Sequence, residues 1–110
     1  MLDDGIGRIL TAAERLPAVA VEFDDARRRA EVRVNARVVA HIDLDHDRVL
    51  VTAPADVIPA LGRVFPSSRR AAAGIVFDLR DGQTCSEALD AIRRRVNVER
   101  FRPQSRLASP

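Results

Sequence analysis

Residues 18–51 read AVAVEFDDARRRAEVRVNARVVAHIDLDHDRVLV, and this stretch decides the fold. Val19, Val21 and Phe23 alternate with small or polar neighbours, the period of a half-buried strand. Asp24 through Arg29 is a polar turn. From Ala30 to Val34 the alternation resumes, with Val32 and Val34 facing inward and Glu31 and Arg33 outward. Asn35-Ala36 is a short break. Val38, Ala40, Ile42 and Leu44 form the inner face of a third strand, Asp45-His46-Asp47 makes the next turn, and Val49-Leu50-Val51 begins a fourth strand. The connections leave no room for the helical crossovers that parallel strands require, so the four segments read as an antiparallel meander.

Outward from this core the period changes. Upstream, Asp4 to Leu16 carries Ile6, Ile9, Leu10, Ala13 and Leu16 at helical spacing, with Asp3 or Asp4 as cap and Pro17 as stop. Downstream, Asp56 is the expected cap of a second helix with Val57, Ile58, Leu61, Val64 and Phe65 on its apolar stripe. Pro59 falls in its first turn, where a missing N–H costs little. Pro66 to Arg70 reads as a loop and Gly74 to Leu79 as a fifth strand. Thr84-Cys85-Ser86-Glu87 has the form of a capping box and opens a last helix that buries Cys85, Ala88, Leu89, Ile92 and Val96. The expected fold is α+β: a four- to five-stranded, mostly antiparallel sheet with about three helices, in the order α-β-β-β-β-α-β-α. It forms a single domain over residues 1–101, followed by a polar tail over 102–110. Helices cover one face of the sheet and leave the other partly open, with Glu22, Glu31, Arg33, Val39, His41 and Asp43 on the open side.

Composition narrows the function classes. The 110 residues include 18 basic side chains, all arginine, against 16 acidic ones, for a net charge of +2. That is a weak footprint for a nucleic-acid binder. The single cysteine, Cys85, rules out an internal disulfide and fits a reducing, cytoplasmic setting. The start, Met1-Leu2-Asp3-Asp4, is acidic where a signal peptide is basic, and no apolar run approaches the ~18 residues of a membrane span.

Two constellations carry chemistry. His41, Asp43 and Asp45 project from one strand face, with His46 and Asp47 at the adjoining turn. Imidazole and carboxylate suit a divalent metal such as zinc, iron or manganese, and they also serve general acid–base catalysis. A solvated hairpin paired with Arg33, Arg37 and Arg48 explains the same residues. The second constellation is arginine: Arg27-Arg28-Arg29 and Arg69-Arg70 could bind an anion or nucleic acid if they share a rim, and Arg93-Arg94-Arg95 adds a third cluster. The chain has no Trp or Tyr, and its four Phe residues sit in apolar stripes, so the aromatics that stack on bases are missing. Cys85 near a helix start would need a neighbouring base to act as a nucleophile, and the buried structural role is the expected one.

The strand ending in His41-Ile42-Asp43, the strand Gly74-Ile75-Val76-Phe77 and the helix end Val98-Glu99-Arg100-Phe101 resemble small bacterial luciferase-like domains of unknown activity. That family favours His-x-His, and this chain has Asp43 in the second position, so the resemblance implies a His/Asp ligand pair. In length and in its helix-strand-helix end the chain is also similar to the MmcQ/YjbR-like family, which implies a binding module. The reading that follows is a non-enzymatic binding or protein-interaction domain using the open sheet face, which is also a natural homodimer surface. A metal-dependent enzyme or small-molecule binder centred on His41, Asp43, Asp45 and His46 is the alternative, and nucleic-acid binding comes third.

Overall fold

The computed structural model describes residues 5–101. Helix α1 (Gly5–Glu14) leads into four consecutive strands: β1 (Val19–Asp24), β2 (Arg29–Val34), β3 (Arg37–Asp43) and β4 (Arg48–Thr52). A 3-10 turn (Ala55–Val57) and helix α2 (Ile58–Val64) follow, then β5 (Arg69–Ala71), β6 (Gly74–Asp78) and the long helix α3 (Gly82–Arg100). The fold is α+β, as its alternation predicts. The sheet has six strands rather than four or five, in the order β1-β2-β3-β4-β6-β5, with every pair antiparallel. The additional strand is β5: Arg69-Arg70-Ala71 lies where sequence suggests a loop, and its apolar content is too low to announce a strand. Among the described residues no helix is long and apolar enough to cross a membrane. The Asp3/Asp4 cap and the 102–110 tail lie outside the described residues.

The meander is set by its turns. Asn35 and Ala36 both have positive φ, 53° and 69°, the conformation of a two-residue type I′ hairpin whose twist matches the flanking strands. At the β3–β4 turn the Asp43 carboxylate accepts the backbone N–H groups of Asp45 and His46, at 3.1 and 3.2 Å, so the aspartate builds the turn itself. Gly74 is required for a different reason. A Cβ there would collide with the Val51 carbonyl, so only glycine lets β6 lie this close to β4.

All three helices cover one face. Ala30, Val32 and Val34 of β2, Ala40 and Ile42 of β3, Val49 and Val51 of β4, and Ile75 and Phe77 of β6 are buried there. They pack with Ile6 and Ile9 of α1, Ile58 of α2 and Ala88, Ile92 and Val96 of α3 in one cluster. Phe77 meets Phe65 edge to face at 6.0 Å between ring centroids, a geometry that aromatic quadrupoles favour.

Several expectations are corrected. Val39 is fully buried rather than on the open face. Val32 pairs with Ala40 while Arg33 pairs with Val38, so Val39 is the extra residue of a β-bulge and strict alternation fails at that point. Helix α3 starts earlier than the Thr84 capping box suggests. Asp81 is the cap, its carboxylate accepting both the backbone N–H and the hydroxyl of Thr84 at 2.9 Å, because a charged acceptor outcompetes a hydroxyl for the helix N-terminus. Glu87 instead turns to Ser67, whose backbone N–H and hydroxyl it accepts at 3.0 and 2.9 Å. Asp56 caps nothing through its side chain, and Val64 is half exposed rather than on the buried stripe. Phe23 and Phe101 are exposed, so only Phe65 and Phe77 are core.

Candidate functional site

The open face carries the predicted His/Asp constellation. The β3–β4 turn folds Asp43 and His46 onto each other, with His46 Nδ1 3.0 Å from Asp43 Oδ2. Partial burial pushes the Asp43 carboxyl upward, but the His46 bond and the two turn N–H groups outweigh it and hold the pKa below the ordinary value. Asp45 points elsewhere and accepts a bond from Arg28 Nε at 3.0 Å. His41 lies opposite Glu31 of β2, its Nδ1 3.7 Å from Glu31 Oε2. The four residues therefore form three separate pairs, and among the described residues no group of three or more His, Cys, Asp and Glu side chains is placed to hold a metal ion.

The arginine clusters are likewise divided. Arg27 sits beside Asp24 at 3.8 Å, Arg28 beside Asp45, and Arg69 on Asp78 at 3.0 Å. Arg29 opens β2 on the open face, whereas Arg70 lies on the helix side near Gly62 of α2. Strands β3, β4 and β6 separate Arg29 from β5, so the two clusters do not share a rim. What joins them is a line of alternating charge. Asp24, Arg29, Asp43, Arg48 and Asp78 stand opposite one another across β1, β2, β3, β4 and β6. Arg69 of β5 then reaches Asp78 from the far side. A second network, Arg33 with Glu22 at 3.1 Å and with Glu31 at 2.6 Å, occupies the β1–β2 part of the face. Beyond His41 on the same face, Leu50 and Val76 floor a shallow depression edged by Arg29, His41, Asp43 and Arg48.

The feature that the sequence conceals lies on the other side. A cavity of about 240 Å³ opens between α2 and α3 above β4 and β6. Val51, Val57, Leu61, Phe65, Ile75 and Val98 supply its apolar wall. Val57 and Val98 are exposed at its mouth. Arg94 lies over the Phe65 ring with its guanidinium carbon 5.5 Å from the centroid, and it pairs with the exposed Asp90 at 3.3 Å. Arg95 is fixed more firmly: Nε donates to the Thr52 carbonyl at 3.0 Å and the guanidinium pairs with Glu99, which also meets Arg37 at 3.6 Å. Glu99 is only 2% exposed, so it is a core anchor for the end of α3 and not the surface acid that its neighbours in sequence suggest. The one hint of the cavity in the sequence is an apolar residue out of phase, Val98, beside the arginine run on α3.

Comparison with protein-family models, curated proteins and solved structures yields no match for this chain.

Proposed function

We propose that this chain is a non-enzymatic binding domain that takes an apolar group bearing a negative charge into the cleft between α2 and α3. The observation that supports it is the combination of an apolar cavity with an arginine, Arg94, at its lip, where it rests on the Phe65 ring and pairs with the exposed Asp90. Binding sites are typically concave, mostly apolar and equipped with a few placed polar groups. The volume exceeds the ~150 Å³ of a dry cavity that accepts benzene, so a short acyl chain or one bulky apolar side chain of a partner fits. A cytoplasmic setting belongs to this proposal on the strength of the lone, buried Cys85.

Octanoate is the probe of choice. Amide chemical-shift changes gathered at Leu61, Arg94 and Val98, and abolished by filling the cleft with Leu61→Trp, support the reading. Shifts scattered over the surface, or unchanged by Leu61→Trp, refute it.

A second reading keeps the open sheet face as a protein-docking surface. It is favoured by the Leu50/Val76 depression, which none of the three described helices covers and which Arg29, His41, Asp43 and Arg48 edge. In that reading the acids and imidazoles orient a partner, and Leu50→Asp abolishes docking while leaving octanoate binding intact.

A further inference from the structure

The two edges of the sheet are built differently. At one end β5 is three residues long and carries Arg69 and Arg70, and a short, charged strand is how sheets discourage edge pairing. At the other end β1 runs for six residues, VAVEFD, without proline, bulge or basic side chain. It pairs with β2 on one side, and among the described residues no strand meets its other side. Half of its backbone N–H and C=O groups therefore point outward. Phe23, on the helix-side face of this strand opposite Ala30, is 53% exposed.

We infer that β1 pairs antiparallel with β1 of a second copy, joining two six-stranded sheets into one with Val21 on the twofold axis. The choice of partner follows from the strand's self-complementarity. A twofold pairing that keeps core faces together must set residues of like parity opposite each other. With Val21 on the axis, Val19 faces Phe23 of the other copy, Ala20 faces Glu22, and the exposed ring lies between its own Ala30 and the other copy's Val19. With Glu22 on the axis, two carboxylates meet head on and Asp24 falls near them. With Ala20 on the axis, Phe23 faces Pro17, which cannot donate to a ladder. Of these three registers, the one with Val21 on the axis alone matches apolar to apolar and leaves no like charges opposed. This surface is separate from the α2–α3 cleft, and its test does not depend on ligand binding.

The experiment is sedimentation equilibrium of the full chain with two charge variants at position 20. Ala20 lies beside Arg33 on β2 within its own copy and opposite Glu22 of the other. Ala20→Glu gains an arginine within the monomer but sets two pairs of carboxylates across the axis, and dimer dissociation becomes about tenfold easier. Ala20→Lys has the reverse effects and tightens the dimer. A folding defect would move stability and association together, whereas this register moves them in opposite directions. In a Cys85→Ala background, Val21→Cys crosslinks on mild oxidation because residue 21 faces its own copy within disulfide reach, and Glu22→Cys does not. A wild-type monomer at millimolar concentration, or crosslinking through position 22 instead of 21, overturns the inference.

Discussion

Arg48 Nε donates to Asp78 Oδ1 at 2.8 Å from the neighbouring strand, on the open face of the sheet. Asp78 uses its second oxygen for Arg69 at 3.0 Å. One carboxylate thus ties β4, β6 and the edge strand β5, and the bonds from Arg69 and then Arg48 bring its pKa down to about 2.

A depressed carboxylate pKa gives a defined acid dependence. The folded state holds Asp78 ionised more strongly than the unfolded chain does, so the stabilisation is fully present above about pH 4, the unfolded range, and disappears as pH falls through about 2. Both arginines are well exposed, so screening reduces the gain to about 1 kcal/mol. Urea midpoints of wild type and Asp78→Asn should differ at pH 6 and draw together as pH falls through about 2. A constant difference across that range contradicts the assignment.

Ala36 has φ of 69° in the β2–β3 hairpin, a conformation that costs an L-residue about 1–2 kcal/mol. Glycine carries no such cost and is the residue that type I′ turns prefer there. Ala36→Gly should raise stability by about 0.5–1 kcal/mol, after the extra freedom of glycine in the unfolded chain is counted. Thermal denaturation shows it as a rise in Tm of a few degrees. A fall would mean that the turn is not type I′.

Gly74 is the converse case. Alanine at this position would place a methyl group against the Val51 carbonyl and the Thr52 Cα, both backbone atoms that cannot swing aside. Gly74→Ala should cost about 2 kcal/mol in chemical denaturation and disturb the β4–β6 pairing that floors the cleft. Amide exchange should quicken first at Thr52 and Ile75.

Glu99 is buried at the end of α3 with Arg95 and Arg37. Removing its charge strands Arg95, itself largely buried, so Glu99→Ala should cost about 3 kcal/mol. The exposed acid Asp90, on the same helix, should cost well under 1 kcal/mol when changed to Ala. Equal effects at the two positions would remove Glu99 from the core.

Much of this architecture is legible in the sequence because its causes are local. Alternation from Val19 to Val51 yields the meander, and the helical spacing of Ala88, Ile92 and Val96 yields the last helix. The Asp43–His46 pair is also local, three residues apart across a turn. What the sequence conceals depends on contacts between distant elements. Val39 looks outward until the bulge is known, and Asp78 looks ordinary until β6 is seen lying between β4 and β5. The cleft needs Val51, Leu61 and Val98 brought together from three elements, and no periodicity of any one of them announces it.

The line of alternating charge from Asp24 to Asp78 also bears on how the chain avoids folding wrongly. Side chains switch faces with every residue, so a strand that slips by one position turns its whole outer row toward the helices. For β2 that row holds Arg29 and Arg33, for β3 Asp43, and for β4 Arg48. Each slipped register would bury an ion without its partner, at a cost far above that of a misplaced valine. The valines on the inner face are nearly interchangeable and cannot by themselves distinguish one alignment from another of the same parity. Slipping by two positions keeps the valines inside but separates Arg48 from Asp78 and Arg29 from Asp43. The charged row thus works as a proofreader of strand alignment, recognising the correct pairing where the apolar row accepts several.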